Sequence, residues 1–171
     1  MPELPEVETV RRGLHELIIG RMVKKVVYDT PKSFPNAPAD VDRFLIGSTI
    51  TDVRRRAKVL MIDLSTNYTL VIHLKMTGQL VFRASDVAFG AGHPNDSLIG
   101  ELPDRSTRVT FTFADGSHLY FNDQRKFGWV KLIPTIEVPN IDFMKKVGPE
   151  PLEADFTPEQ FAARFKRRAK S

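Results

Sequence analysis

Residues 59–74 read Val-Leu-Met-Ile-Asp-Leu-Ser-Thr-Asn-Tyr-Thr-Leu-Val-Ile-His-Leu, which is two β-rich runs separated by turn-forming residues. Val59–Leu64 and Thr69–Leu74 have the length of strands, and Ser65-Thr66-Asn67 supplies the turn chemistry of a hairpin. Asp115-Gly116 repeats that signal further along the chain. Both hairpins favour an antiparallel sheet over a parallel α/β arrangement.

Six further runs of the same kind flank this hairpin, with no long helical segment between them. They are Val23–Tyr28, Ile50–Arg54, Gln79–Phe82, Arg108–Phe113, His118–Asn122 and Trp129–Ile133. Eight short strands predict a mostly β fold, an antiparallel sandwich or barrel. Thr30–Pro38 and Ala84–Asp104 are rich in proline, glycine or small polar residues, so we expect them to be loops.

Helical patterns stand mainly at the two ends of the chain. Pro5 suits the first turn of a helix, apolar residues then recur at helical spacing from Val7 to Ile18, and Gly20 is a plausible stop. A short helix is expected at Asp40–Leu45. Near the other end, Thr157-Pro158 and Gln160 form a capping pattern for a final basic helix.

The order of these patterns predicts the domain organisation. We expect a β-sandwich domain over residues 1–133, a proline-rich connector over residues 134–153, and a further helix over residues 154–171. The last helix carries Phe161 and Phe165, so self-association through an apolar face is one expectation for the chain.

Composition narrows the class of protein. The 171 residues include no cysteine, which excludes disulfides and thiolate metal sites and makes a disulfide-stapled secreted scaffold untenable. The sequence shows neither a secretory leader nor a membrane span, so we expect a cytoplasmic protein without a membrane partner. Lysine and arginine exceed acidic residues by 25 to 21, which permits a polyanionic partner without requiring one.

The N-terminus is the first candidate for chemistry. If Met1 is removed, Pro2 becomes a free secondary amine beside Glu3 and Glu6. An α-amino group titrates near pH ~8 and lysine near ~10.4, so the terminus is the better nucleophile at neutral pH. A secondary amine and a sugar aldehyde form an obligate iminium, which drives elimination. Acidic residues at a helix start are also favoured by the helix dipole alone, so a purely structural role stays open.

Three internal motifs each allow two interpretations. The basic run Arg54–Lys58 suits phosphate binding or a solvated edge strand. In His73–Gly78, His73 and Met76 are either interior residues or functional ones. In Asp123–Gly128, Arg125 and Phe127 either wedge between DNA bases or form a plain turn with the ring buried.

Taken together, these motifs resemble one family. The opening Met-Pro-Glu-Leu-Pro-Glu-Val-Glu-Thr-Val-Arg-Arg-Gly-Leu is followed by Arg55-Arg56-Ala57-Lys58, by residues 73–78, by residues 123–128 and by Gly148-Pro149-Glu150-Pro151-Leu152. This order is similar to that of bacterial formamidopyrimidine-DNA glycosylases. The resemblance implies a two-helix, eight-strand antiparallel β-sandwich followed by the start of a helical domain.

The resemblance also implies an enzyme of DNA base-excision repair. It would be a bifunctional glycosylase and abasic-site lyase for oxidised purines such as 8-oxoguanine and formamidopyrimidines. Pro2 would be the nucleophile, Glu3 the proton shuttle and Glu6 a supporting residue of the site. Lys58 and His73 would hold phosphates, while Met76, Arg125 and Phe127 would fill the space that the extruded base leaves.

The resemblance covers an N-terminal portion of the family's length. The family's zinc cysteines are absent from this chain, so we expect no metal or other cofactor here. We expect double-stranded DNA with oxidised bases or abasic sites as the partner, and a separate chain could supply the remaining half. Abasic-site lyase activity should survive truncation better than glycosylase activity. The alternative is a non-catalytic DNA-binding or interaction module that keeps the fold.

Overall fold

The computed structural model describes residues 4–141 and residue 144. It divides the chain into two compact units, Met1–Val138 and Pro139–Ser171, and the fold described here belongs to the first. Pro2, Glu3 and the helix expected over residues 154–171 lie outside the described residues. The domain limits after residues 133 and 153 therefore stay predictions. Within the expected connector, Thr135–Asn140 forms a 3-10 helix.

The first helix, α1 (Leu4–Leu17), begins where the sequence predicts. Its buried face consists of Val7, Val10 and Leu14, which recur at the spacing of one side of a helix. Beyond its end the chain turns through Gly20 at a φ of +92°, a conformation that glycine adopts without steric cost. The short helix expected near residue 40 is also present, as α2 (Pro38–Asp40) continuing into a π-helical turn, Val41–Leu45.

The described residues form nine strands in two antiparallel sheets. The strands are β1 (Val23–Tyr28), β2 (Ile50–Arg56), β3 (Val59–Leu64), β4 (Tyr68–His73), β5 (Gly78–Arg83), β6 (Ala88–Gly92), β7 (Thr107–Phe113), β8 (His118–Asp123) and β9 (Trp129–Pro134). One sheet has the order β1-β7-β8-β5-β6 and the other β2-β3-β4-β9. All eight predicted strands are present, and the mostly β, two-sheet antiparallel architecture is confirmed.

The ninth strand, β6, corrects the prediction of eight strands and of a loop over Ala84–Asp104. Its sequence, Ala-Phe-Gly-Ala-Gly, has the composition of a loop, yet it pairs with β5 along its whole length. Helix α1 covers it, because Gly13 leaves room for the ring of Phe89. A Cβ on Gly13 would stand only 2.1 Å from Phe89 Cζ. Pairing with β5 forms this strand, and contact with a helix distant in sequence covers it.

One cluster of buried side chains from both sheets and α1 forms the core. Its largest fully buried members include Phe82, Phe111, Phe113 and Phe121 of the five-stranded sheet, and Ile62 and Ile72 of the other. Within the described residues the chain passes from one sheet to the other between β1 and β2, between β4 and β5 and between β8 and β9. Since β4 pairs with β9 and β5 pairs with β8, the last two of these crossings lie side by side.

Candidate nucleic-acid interface

Two functional candidates, Lys58 and His73, stand at the ends of neighbouring strands of the four-stranded sheet. Lys58 lies in the tight turn between β2 and β3, next to Val59, and Val59 pairs with His73 at the end of β4. His73 in turn pairs with Trp129 at the start of β9, and their rings lie 5.7 Å apart between centroids. Strand pairing therefore places the Lys58 turn and His73 at one end of this sheet.

His73 is held as a neutral hydrogen-bond donor. His73 is only 4% exposed, and its Nδ1 accepts a hydrogen bond from the backbone N–H of Lys75 at 3.0 Å. An acceptor at Nδ1 leaves the proton of the neutral ring on Nε2. Burial, and then the positive charges of Lys75 and Lys58, lower the pKa of His73 to about 4. At neutral pH the ring is therefore uncharged and carries its proton on Nε2.

The two crossing loops, residues 74–77 and 124–128, are joined by buried hydrogen bonds. Asp123 is fully buried, and its carboxylate accepts the hydroxyl of Thr77 and, at 2.6 Å, the backbone N–H of Gly128. The Thr77 hydroxyl oxygen also accepts the backbone N–H of Arg125 at 3.2 Å. One carboxylate and one hydroxyl thus connect both loops.

The backbone of both loops takes an uncommon conformation. Lys75 has a φ of 54° and Lys126 a φ of 60°, in the left-handed region that residues with side chains seldom occupy. Such conformations persist where the surrounding structure determines them, and they concentrate at functional sites. Here the determining contacts are hydrogen bonds on either side, from Lys75 N–H to His73 and from Lys126 N–H to the Asp123 carbonyl.

Large apolar side chains project from the tips of these loops. Met76 is 38% exposed and Phe127 is 45% exposed, so the interpretations that bury them in a core or a plain turn are wrong. Arg125 lies over the Phe127 ring at 5.2 Å, and Lys32 lies over it at 5.6 Å. Exposed apolar tips surrounded by cations suit insertion into a stacked polyanion such as DNA.

The basic run Arg54–Lys58 does not form one continuous patch. Arg54 makes two hydrogen bonds to Asp63, and Arg55 donates to Glu8 at 2.8 Å while being only 5% exposed at its side chain. These two guanidinium groups are neutralised within the protein. Of the phosphate-binding candidates in this run, Lys58 is the one that stands in the turn.

Glu8 joins the N-terminal helix to that turn. Besides Arg55, its carboxylate binds Arg11 through two hydrogen bonds and Arg12 through one. Burial by itself pushes the pKa of Glu8 up, but the hydrogen bonds from Arg11 and Arg55 outweigh it, and the pKa lies below its usual value. Arg55 also donates to the carbonyl of Ala57, the residue before Lys58. The start of α1 and the Lys58 turn are thereby fixed to each other.

The structure brings most of the proposed site residues together. Lys58 and His73 lie at adjacent strand ends, and Met76, Arg125 and Phe127 lie on the two joined loops. Glu6 is half-buried in the first turn of α1, two residues before Glu8. Pro2 and Glu3 lie outside the described residues, so their roles stay predictions.

Sequence reasoning did not single out Thr77, Asp123, Glu8 or Arg55 as residues that organise the site. Thr77 and Asp123 lie inside the motifs at residues 73–78 and 123–128. A polar residue within a sequence that otherwise predicts a buried strand or a turn was the signal that could have identified them, because buried polar groups need hydrogen-bond partners. Nothing in the sequence indicates that the two turns lie side by side. That follows only from the pairing of β4 with β9 and of β5 with β8.

Two further observations concern metals and membranes. Across residues 4–141 and residue 144, no three His, Asp or Glu side chains cluster in a way that could hold a metal ion. The chain has no cysteine, so its residues do not fit the cysteine zinc finger of the resembled family. Within the same described ranges, no helix is long and apolar enough to cross a bilayer.

The domain is an antiparallel two-sheet sandwich with an N-terminal helix packed on it. Basic and apolar side chains gather where the chain crosses between the sheets. The fold and the site together define the class as a β-sandwich domain with a candidate nucleic-acid interface. A family model of the formamidopyrimidine-DNA glycosylase N-terminal domain matches residues 1–130. The chain belongs to the formamidopyrimidine-DNA glycosylase family.

Individual relatives agree with this assignment. The chain is 35% identical to a formamidopyrimidine-DNA glycosylase of Ligilactobacillus salivarius over 171 residues, covering 100% of this chain and 57% of that protein. It is 38% identical to the enzyme of that name from Herpetosiphon aurantiacus, covering 99% of this chain and 57% of the relative. The chain therefore spans little more than half the length of the curated relatives it matches.

Solved structures show the same fold. The Lactococcus lactis formamidopyrimidine-DNA glycosylase bound non-covalently to DNA with an AP site is 31% identical, with a TM-score of 0.71, and the match covers 95% of this chain and 56% of that one. Its complex with DNA containing N7-benzyl-Fapy-dG is 32% identical, with a TM-score of 0.72, covering 95% and 55%.

Proposed function

We propose that this chain carries the catalytic half of a base-excision repair enzyme, a DNA glycosylase and abasic-site lyase for oxidised purines. The observation that supports it most is the joining of the two loops that bear Met76, Arg125 and Phe127, beside the strand ends that bear Lys58 and His73. The side chains on the loops suit the space that an extruded nucleotide leaves in the duplex, and those at the strand ends suit the phosphates of that nucleotide. The relatives and their DNA complexes support the same function.

In the proposed reaction the amine of Pro2 attacks C1′ of the damaged nucleotide. A nitrogen–carbon bond forms, the glycosidic bond breaks, and its electron pair leaves with the base, which takes up a proton. Ring opening of the sugar gives an iminium that acidifies the C2′ proton, and loss of that proton expels the 3′ phosphate. Glu3 is the proposed proton shuttle, with Glu6 supporting it.

The phosphate contacts divide between a charged and a neutral donor. Lys58 supplies a cation that neutralises one phosphate, whereas His73 offers an uncharged Nε2–H. Neutralisation of a phosphate releases counterions and makes binding salt-dependent, but a neutral hydrogen bond does not. Binding through this pair should therefore depend on salt through Lys58 and on donor geometry through His73.

Reaction with a pre-formed abasic site is the activity we propose this 171-residue chain performs best. An aldehyde that is already exposed requires neither extrusion of a base nor recognition of a lesion. Sodium borohydride trapping on abasic DNA tests this directly, because it reduces the iminium to a stable protein–DNA adduct. We expect an adduct with the full chain whose N-terminal mass shows loss of Met1, and a much weaker one with Pro2→Gly.

Two outcomes would contradict the proposal. One is the absence of an adduct with protein that demonstrably lacks Met1. The other is equal DNA cleavage by protein whose N-terminus is acetylated, since an amide nitrogen is not nucleophilic. Either result, combined with retained DNA binding, would favour a non-catalytic DNA-binding module. Light scattering across protein concentration tests the separate prediction of self-association.

A further inference from the structure

The two crossing loops are joined by hydrogen bonds between buried polar groups, and each loop supplies part of them. Asp123 is fully buried and Thr77 is 8% exposed, although both side chains are polar. Burial of an ionised carboxylate is costly unless hydrogen bonds satisfy it. The Asp123 carboxylate accepts hydrogen bonds from Thr77 of one loop and from Gly128 of the other.

We propose that Thr77 and Asp123 form a cross-loop clasp, which makes Met76, Arg125 and Phe127 move into DNA as one unit. The Thr77 hydroxyl donates to Asp123 and accepts the backbone N–H of Arg125 at the start of the second loop, and the Asp123 carboxylate accepts the N–H of Gly128 at its end, so the pair bonds the first loop to both ends of the second. Met76 precedes Thr77 directly in the chain. Displacement of either loop would break hydrogen bonds of the other.

The clasp also limits what its neighbours can be. A Cβ on Gly128 would stand 2.6 Å from the carbonyl oxygen of His73 and 3.0 Å from the Asp123 carboxylate. The backbone after Phe127 therefore lies directly against the end of β4. This close approach places the aromatic tip at a fixed distance from the phosphate-binding end of the sheet, so the clasp is a positioning device for the tips and touches no substrate itself.

This inference rests on the proposed function, and it makes a prediction that the proposed function alone does not. Filling a gap matters only where a complementary strand is present. A single-stranded abasic oligonucleotide has no gap between paired strands, whereas a duplex has one. Loss of the clasp should therefore lower reaction with duplex abasic DNA far more than reaction with the single strand.

Thr77→Val and Thr77→Ser are the matched variants. Valine has the shape of threonine without the hydroxyl, and serine keeps the hydroxyl. Borohydride trapping is measured on one abasic sequence as single strand and as duplex. Fluorescence of 2-aminopurine opposite a tetrahydrofuran site reports insertion without any chemistry. We expect Thr77→Val to lower the duplex-to-single-strand trapping ratio about tenfold and to abolish most of the fluorescence change, from loss of a charge-assisted hydrogen bond. Thr77→Ser should stay within about twofold of wild type.

Each alternative outcome decides the proposal. Equal losses on both substrates would mean that the hydroxyl supports the fold as a whole, and would overturn a positioning role. Thr77→Val that matches Thr77→Ser in both readouts would overturn the clasp outright. Wild-type protein that traps neither substrate would refute the proposed function instead, and the 2-aminopurine signal then decides the clasp by itself.

Discussion

Replacement of His73 by glutamine should change how the stability of the domain depends on pH. The imidazole of an unfolded chain takes up a proton near pH 6.5, but in the folded protein burial and the charges of Lys75 and Lys58 lower the pKa of His73 to about 4. Between these values the unfolded state binds more protons than the folded state. The free energy of unfolding therefore falls as the pH falls through this range, and above pH 6.5 the residue has no such effect.

The size of the effect follows from the same two values. Each pKa unit corresponds to about 1.4 kcal/mol. The interval from 6.5 to about 4 therefore represents about 3 kcal/mol, nearly all of it lost by pH 4. A loss of this size is a substantial part of the net stability of an ordinary domain, which is about 5–15 kcal/mol.

Urea unfolding followed by far-ultraviolet circular dichroism, at several pH values from 7.5 to 4.5, measures this directly. Wild type should lose more stability than His73→Gln as the pH falls below 6.5, because glutamine does not titrate. Carboxyl groups that titrate in the same range affect both proteins and cancel in the difference. Parallel profiles for wild type and His73→Gln would refute the burial argument.

Three other perturbations test the packing and the interface. Gly13→Ala should destabilise the domain by about 1–3 kcal/mol in urea melts despite alanine's better helix propensity, because its Cβ would meet Phe89, and adding Phe89→Leu should restore part of the loss. Glu8→Gln should cost about 2 kcal/mol through weaker bonds to its arginines, whereas Glu16→Gln on the exposed side of α1 should stay within about 0.5 kcal/mol. Lys58→Gln should reduce the slope of log affinity for abasic duplex against log salt by about 0.9, while Lys24→Gln on β1 leaves it unchanged; equal slopes for both would place Lys58 off the phosphate backbone.

The fold was largely predictable because most of its strands have a clear pattern in their own local sequence. Val59–Leu64 and Val23–Tyr28 combine β-branched or apolar residues with clear turns, and both have the predicted bounds. β6 was not predictable for the opposite reason. Two glycines and two alanines in five residues carry no strand signal, and the partner that stabilises the segment is a helix about 75 residues earlier in the chain.

The candidate site was predictable in its parts and not in its arrangement. The resemblance supplied Lys58, His73, Met76, Arg125 and Phe127, but the exposure of the last three tips follows only from the folded loops. The dipole argument for acidic residues at a helix start explains Glu8 incompletely. Its carboxylate reaches an arginine of β2, 47 residues away in the chain, and long-range ion pairs leave no periodic trace in a sequence.

The crossing loops have a mechanical consequence, because each of them is tied to both layers of the sandwich. A small displacement of one sheet relative to the other would change how far the loop tips extend from the domain. Substitutions deep in the interlayer packing, for example at Phe121, whose ring lies beneath Gly128, would then change how far the tips extend from the domain. If the tips insert into DNA as proposed, the depth of insertion depends on the interior of the domain as well as on its surface.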